Sequence, residues 1–373
     1  MRIAIMLRSI LEQGGVGVYS RYITQELLQL DQRNEYVLFY SSPERLGEFA
    51  SYPNVIERVV QAPNKALWDQ VAIPYACWRE QVDVVFHPKF TVPLLAPCKS
   101  VMVLHGAGWF MPDTRKFWNA LDLKYVRMMM PVYCRRASAV LAVSQITTDT
   151  FNRVLGLTPG KIRTVYFGPG KHFQPISDSE ELERVRHKYS LPDRFIFTLS
   201  GHDRGTRKNI DGILKAYHIH HGKTPHKLVV GGKGCDRFRA EYRIPDDGYG
   251  QDIHFPGWID QKDLPAIYSL ADLFLYPSFS EAFPIPITEA LACGTPIITS
   301  TLNGLQEIAG DAALAVDAAV PEEIADAIGQ VLLNPDFRET LAARSLARSE
   351  MFNWQKCARE TLQILESVAG NPN

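Results

Sequence analysis

Pro277-Ser-Phe-Ser-Glu-Ala-Phe-Pro-Ile-Pro-Ile-Thr-Glu-Ala-Leu-Ala-Cys-Gly-Thr-Pro296 follows the apolar run Leu273–Tyr276, and its reading decides the fold. The run has the length and composition of a buried strand. A turn carrying Glu281 follows. A helical pattern then spans Pro286–Ala292, opened by a proline suited to the first turn of a helix. Free N–H groups at that helix start, with the helix dipole, favour an anion such as a diphosphate. Glu289 stands eight residues after Glu281, inside the helix. Ionised carboxylates are pure acceptors, so two beside an anion site can grip sugar or ribose hydroxyls. The spacing alone favours the plainer reading, one loop glutamate and one solvated helix glutamate.

The same alternation of short β-rich runs with helical patterns extends in both directions. Before the quoted stretch, strands are expected at Ile3–Leu7, Tyr36–Tyr40, Val82–Phe86, Val101–His105 and Ala139–Val143, with helices at Gly17–Leu30 and Lys116–Arg136. Val165-Tyr-Phe-Gly-Pro-Gly-Lys-His-Phe-Gln-Pro175 interrupts them and reads as a linker. The alternation resumes with strands at Phe195–Ser200, Lys227–Val230, Ile253–Phe255, Leu273–Tyr276, Pro296–Thr299 and Leu314–Val316. Helices there are expected at Asn209–His221, Lys262–Ser269, Pro321–Leu333 and Asp336–Met351, with a last one near Trp354–Ser367. Strands alternating with helices predict parallel, doubly wound sheets. With 373 residues the chain exceeds one ordinary core. The expected division is an N-terminal Rossmann-like domain over 1–172, a second over 173–352, and a C-terminal helix over 353–373. Ligands of such sheets bind beyond the carboxyl ends of the strands.

Composition, 46% hydrophobic and 22% charged, is that of an ordered globular protein, and a net charge of −1 gives no argument for nucleic acid. The charge is uneven: residues 1–172 hold 20 Lys and Arg against 13 Asp and Glu. A basic first half fits an anionic partner such as a membrane surface, or ordinary variation between domains. The six cysteines are scattered with no zinc spacing, as expected of reduced thiols in a cytoplasmic protein. The first apolar run is too short for a signal peptide, and no run of about 20 apolar residues spans a membrane.

Other strand ends carry further candidates. Ser200-Gly-His-Asp-Arg-Gly-Thr-Arg-Lys-Asn209 joins a strand to a helix. Ser200 and Gly201 allow close approach, and Arg204, Arg207 and Lys208 can neutralise phosphate. Gly14-Gly-Val-Gly-Val-Tyr-Ser20 places Gly15 and Gly17 at a helix start, without the acidic residue of a dinucleotide site. His105 ends a strand. Val229-Val-Gly-Gly-Lys-Gly234, with Gly232, and Phe255-Pro-Gly-Trp-Ile259, with Trp258, can admit a nucleotide base or serve as turns. The basic and aromatic segment 115–136 reads either as a membrane-surface helix or as a core helix with a solvated basic edge. The chain lacks a D-x-D motif, so no metal is expected at the diphosphate, and it lacks a phosphate-binding Walker loop and a G-x-S-x-G elbow.

The quoted stretch resembles the signature of glycosyltransferase family 4, retaining enzymes of the GT-B fold. That pattern runs E-G-F-G-L-P-x-x-E-A-M-A-C-G-T-P, against E-A-F-P-I-P-I-T-E-A-L-A-C-G-T-P from Glu281. The resemblance implies two facing Rossmann-like domains with a cleft between them, and a nucleotide-sugar donor with no other cofactor. It implies that Glu281 contacts donor sugar hydroxyls and Glu289 the ribose. Backbone around Ala282, Phe283, Pro284 and Ile285 would hold the diphosphate, as would Lys208 and an arginine, here Arg204. His105 would lie near the reacting sugar, and the last helix would cross back to the first domain. A GDP- or UDP-hexose donor and a saccharide or lipid-linked saccharide acceptor follow from the same resemblance. Three departures stand out: Pro284 replaces a glycine and so removes an N–H, His202 occupies the usual arginine position, and Gly106 replaces an Asp. They are the features that would support one competing reading, a non-catalytic partner subunit of the same fold; the other is a different GT-B enzyme such as a sugar-nucleotide epimerase.

Overall fold

The computed structural model describes residues 1–12, 14–111, 119–201 and 207–370. The chain forms two compact units, Met1–Phe167 with Asn353–Asn373, and Gly168–Phe352.

Among its described residues, the first unit is built on a seven-stranded parallel sheet in the order β3-β2-β1-β4-β5-β6-β7. The strands are β1 Arg2–Met6, β2 Glu35–Tyr40, β3 Val55–Val59, β4 Val84–His87, β5 Lys99–Leu104, β6 Ala139–Ala142 and β7 Ile162–Thr164. Central strands are buried apart from Arg2 at the start of β1 and Lys99 at the start of β5, as a sheet covered on both faces requires. Ile3 pairs with Tyr36 on one side and Val84 on the other. The chain winds outward from β1 to β3, then returns to β4 and winds the other way. The strand order therefore reverses between β1 and β4, which opens a crevice at their carboxyl ends.

Helices of this unit are α1 Gly15–Leu30, α2 (segment 65–79), α3 Ala120–Arg136 and α4 Gln145–Leu155. A π-helical turn, Trp68–Ala72, interrupts α2. The terminal helix, Trp354–Gly370, also belongs here. Its Trp354 stacks on Tyr22 with ring centres 5.3 Å apart, and packs on Phe167 at 4.9 Å and Tyr19 at 5.5 Å.

The second unit, among its described residues, has a six-stranded parallel sheet in the order β10-β9-β8-β11-β12-β13. Its strands are β8 Phe195–Leu199, β9 Lys227–Gly231, β10 Ile253–His254, β11 Leu273–Tyr276, β12 Ile297–Ser300 and β13 Ala313–Val316. Here the reversal lies between β8 and β11. Besides the four-residue helix Phe238–Glu241, the helices are α5 Ser179–Tyr189, α6 Ile210–His220, α7 Leu264–Leu270, α8 Ile285–Ala292, α9 Gly304–Ala309, α10 Pro321–Leu332 and α11 Pro335–Ser349, and the terminal helix is α12. The chain leaves α8 through Cys293 and Gly294, whose φ of +70° is cheap only for glycine, and Thr295 then ties its hydroxyl to the Tyr268 carbonyl at 2.8 Å.

Compared with the sequence expectation, every central strand is present. The edge strands β3 and β7 were not expected, nor were α2, α4, α5 and α9. β3 carries the charged pair Glu57 and Arg58 and is only half-buried, and β7 has three residues. No described helix is long and apolar enough to cross a membrane.

Candidate active site

In the second unit, the loops after β8 and β11 flank the strand-order reversal. Lys208 and Arg207, from the first loop, meet Glu281 from the second. The Arg207 guanidinium donates to Glu281 Oε2 at 2.9 Å and to the Ser280 carbonyl at 2.9 Å. The Lys208 ammonium bonds Glu281 Oε1 and the Tyr276 hydroxyl, and lies 4.4 Å from the centre of the Tyr276 ring. Burial pushes the Glu281 carboxyl up, but the charges of Lys208 and Arg207 outweigh it and hold the pKa below its ordinary value. One carboxylate thus faces two cations, an excess of positive charge at the strand ends.

Local chemistry fixes both loops. Asn209 takes φ +59°, donates to the Pro277 and Ala318 carbonyls at 3.2 and 2.7 Å, and caps α6 through the Gly212 N–H. Thr299 and Ser300 of β12 donate to the Tyr276 and Ser278 carbonyls at 3.0 and 2.7 Å. Gly304 approaches so closely that a Cβ there would sit 2.1 Å from the Ala282 carbonyl oxygen.

α8 begins at Ile285 with Pro284 as its N-cap. Pro284 and Pro286 have no N–H. Between Ala282 and Ile287 only Phe283 and Ile285 carry one, and the Ile287 amide donates to the Pro284 carbonyl at 3.0 Å. The Phe283 ring is buried edge-on to Phe352, 5.9 Å away. Glu289 lies one turn into α8, buried, and accepts from the Tyr268 hydroxyl at 3.1 Å. Burial raises its pKa to about 7. Glu281 and Glu289 therefore differ in kind: one is held ionised by cations, the other is poised between its two forms.

On the other side of the reversal, Ser200 and Gly201 follow β8. The Ser200 N–H donates to the Gly231 carbonyl at 2.8 Å, and Gly232, φ +135°, faces them so closely that a Cβ would lie 2.3 Å from the Ser200 carbonyl oxygen. The Gly232 N–H donates to the Gly257 carbonyl at 2.9 Å, next to Trp258, which is exposed. Ser200, Gly201 and Gly232 thus form one backbone-lined group, and Lys208 and Glu281 another. Arg204 and His202 lie outside the described residues.

The remaining candidates sit in the first unit. Gly15 opens α1, and at Gly17 a Cβ would lie 1.8 Å from the Glu12 carbonyl oxygen, so packing alone demands glycine there. His105 follows β5. Its Nε2 lies 2.8 Å from the Pro88 carbonyl, which can only accept, so that nitrogen carries the proton. Burial lowers the His105 pKa to about 4, which keeps the ring neutral. The Tyr19 ring meets it edge-on at 4.9 Å. Around the reversal between β1 and β4, Arg8 pairs with Asp69 at 2.9 Å, Thr91 donates to Asp69 at 3.0 Å, and Lys89 pairs with Glu12 at 2.5 Å. These residues, like Gly304, were not singled out by the sequence, and only the topology brings them to the strand ends, whereas Arg207 and Asn209 belong to the basic loop Ser200–Asn209.

Two family models match the chain, glycosyltransferase family 4 over residues 13–168 and glycosyl transferases group 1 over residues 181–347. The chain is 29% identical to O-antigen chain mannosyltransferase B of Escherichia coli, over 76% of this chain and 74% of that protein. It is 27% identical to the serotype-specific mannosyltransferase WbdA of Escherichia coli over 96% of its own length, and spans 46% of that longer protein. Among solved structures, sucrose-phosphate synthase from Thermosynechococcus elongatus superposes with a TM-score of 0.76 at 21% identity, covering 98% of each chain. Two family models end to end along the chain, on two parallel Rossmann-type sheets, make this chain a glycosyltransferase of family 4 with the GT-B fold.

Proposed function

We propose that the enzyme transfers mannose from GDP-mannose to a hydroxyl of a saccharide or lipid-linked saccharide, without a metal and with retention of the anomeric configuration. A UDP-hexose is the alternative donor. The observation that carries this reading is the cluster of Lys208, Arg207 and Glu281 at the strand-order reversal of the second sheet, beside the start of α8. The mannosyltransferase relatives support the sugar.

Breaking the sugar–phosphate bond leaves an oxocarbenium-like sugar and a diphosphate with growing negative charge. Lys208, the amides of Phe283 and Ile285 and, from the sequence, Arg204 stabilise that diphosphate. Glu281 accepts hydrogen bonds from sugar hydroxyls and Glu289 from the ribose. Ser200, Gly201, Gly232 and Trp258 border the nucleoside. The acceptor hydroxyl attacks the face that the diphosphate leaves and passes its proton to the departing phosphate oxygen. In the first unit, neutral His105, with Gly15 and Gly17, borders the reacting sugar, and segment 115–136 contacts a membrane surface on the cytoplasmic side. Of that segment, residues 115–118 lie outside the described residues.

Calorimetric titration with GDP and UDP, with and without EDTA, tests this reading. GDP is expected to bind in both conditions, and Lys208→Ala to weaken it about tenfold or more, the scale of a lost charge-assisted bond. Binding of neither nucleotide would refute the donor site and leave a non-catalytic subunit of this fold.

A further inference from the structure

The first unit exposes an apolar surface that its core does not use. α2 and α3 both cover the sheet face carried by Ala4, Val85 and Met102. α2 buries Trp68, Ile73 and Cys77 there, and α3 buries Leu123, Val126 and Met130. A helix with one buried side ordinarily turns polar residues outward. These two do not. On α2, Leu67, Val71, Tyr75 and Trp78 recur at intervals of four, four and three residues, and all are exposed, Trp78 by 60%. On α3, Leu121, Tyr125, Met128 and Val132 recur at four, three and four, and all are exposed, Leu121 by 78%.

The two helices adjoin one segment. Gln70 of α2 donates to the Val92 carbonyl at 3.0 Å and accepts the Leu94 N–H at 2.9 Å. Arg136 of α3 donates to the Leu94 carbonyl at 3.0 Å. Leu95, held between those contacts, is 80% exposed. Exposed cations border the surface: Lys65 and Arg79 on α2, Lys124 and Arg135 on α3. Of the acids on these helices, Asp69 is buried against Arg8, and Asp122 is exposed.

We propose that α2, α3 and Leu95 together form a docking face for an anionic lipid bilayer, with Tyr75 and Trp78 as its anchors. The proposal deepens the membrane contact suggested above for segment 115–136 by adding a second helix, whose role is independent of α3. Tyr and Trp partition to the headgroup level, Leu, Val and Met to the acyl boundary, and the cations to anionic headgroups. A second copy of the chain is a poorer occupant, because a two-fold contact would set one basic rim against another. The surface docks without spanning, since neither helix is long and apolar enough to cross.

The test is sedimentation of the full chain with vesicles of phosphatidylcholine alone, or mixed with phosphatidylglycerol, for three proteins: wild type, the double variant Tyr75→Ser/Trp78→Ser, and the double variant Lys124→Glu/Arg135→Glu. All four side chains are exposed, and unchanged thermal midpoints and nucleotide titrations check that fold and donor site are intact. Wild type is expected to bind the anionic vesicles, less at high salt, and each variant to lose about tenfold or more in partitioning. If the Lys124/Arg135 variant is released and the Tyr75/Trp78 variant still binds fully, the contact belongs to α3 alone and the composite face is wrong. If wild type ignores anionic vesicles, both readings fail. A dimer in light scattering that the Tyr75/Trp78 variant dissolves would give the face to a second copy.

Discussion

Arg207 and Lys208 share the Glu281 carboxylate, and the sharing gives them different tasks in the proposed reaction. If Lys208 turns to the diphosphate, Arg207 remains to hold Glu281 ionised and in place. Arg207→Ala then leaves Lys208 as the sole counter-ion of Glu281, and steady-state kinetics should show the donor KM rising about tenfold, the worth of one charge-assisted bond, with Arg207→Lys recovering part of it. An unchanged KM would remove Arg207 from the site. Glu289 gives a second expectation. Its folded pKa, about 7, lies above the ordinary carboxyl value, so the folded state holds its proton more tightly than the unfolded chain does. Its neutral form is the favourable one. Stability is greatest below the ordinary carboxyl range, falls as pH rises towards 7, and is level above, a loss of at most roughly 3 kcal/mol. Glu289→Gln should match wild type in thermal midpoint near pH 4.5 and exceed it at pH 8. Equal midpoints at both would refute the raised pKa. Glu281 and Glu289 stood out in the sequence because one long signature carries both, and Lys208 because it ends a basic loop between a strand and a helix. The sequence pointed to Arg204, which lies outside the described residues, for the diphosphate, and gave no sign that Arg207, three positions on, rests on the Glu281 carboxylate. Nor could it supply Tyr268, which reaches Glu289 from 21 positions away.

Loops at strand ends are only as well placed as the elements behind them. α9 presses on the signature loop through Gly304, where a Cβ would sit 2.1 Å from the Ala282 carbonyl oxygen and 2.7 Å from its carbon. Backbone cannot yield as a side chain can. Gly304→Ala should therefore lower the thermal midpoint by several degrees, the effect of about 1–3 kcal/mol of overpacking, and weaken nucleotide binding. Loss of stability with unchanged nucleotide affinity would show that the loop moves freely of α9. Central strands were legible because burial on both faces leaves unbroken apolar runs such as Val101–Leu104. Two of the edges were not: β3 places Glu57 and Arg58 in succession, one on each face, as a half-buried edge allows, and β7 has only three residues. α2 escaped for another reason. Its apolar residues fall on two faces, one in the core and one in solvent, and its π-helical turn breaks the period. No single amphipathic pattern remains to be read.

The first unit is assembled from the two ends of the chain, which sequence alone could suggest only by resemblance. Tyr19 meets Trp354 ring to ring, and its hydroxyl lies 4.0 Å from Cys357 Sγ, 338 positions further on. Trp354→Ala would open a cavity among Tyr19, Tyr22 and Phe167 at a cost of about 3–5 kcal/mol, seen as a large fall in the unfolding midpoint of the first unit. A small fall would mean that α12 only rests on its surface. Gly168–Phe352, by contrast, is continuous in sequence. During synthesis this inverts the usual order. The second unit has all its strands as soon as residue 316 has left the ribosome, while the first, begun earlier, still lacks the helix that covers Tyr19. The part made first is finished last. A nascent chain stalled before Trp354 should carry a protease-resistant second unit behind a first unit that is still open to cleavage.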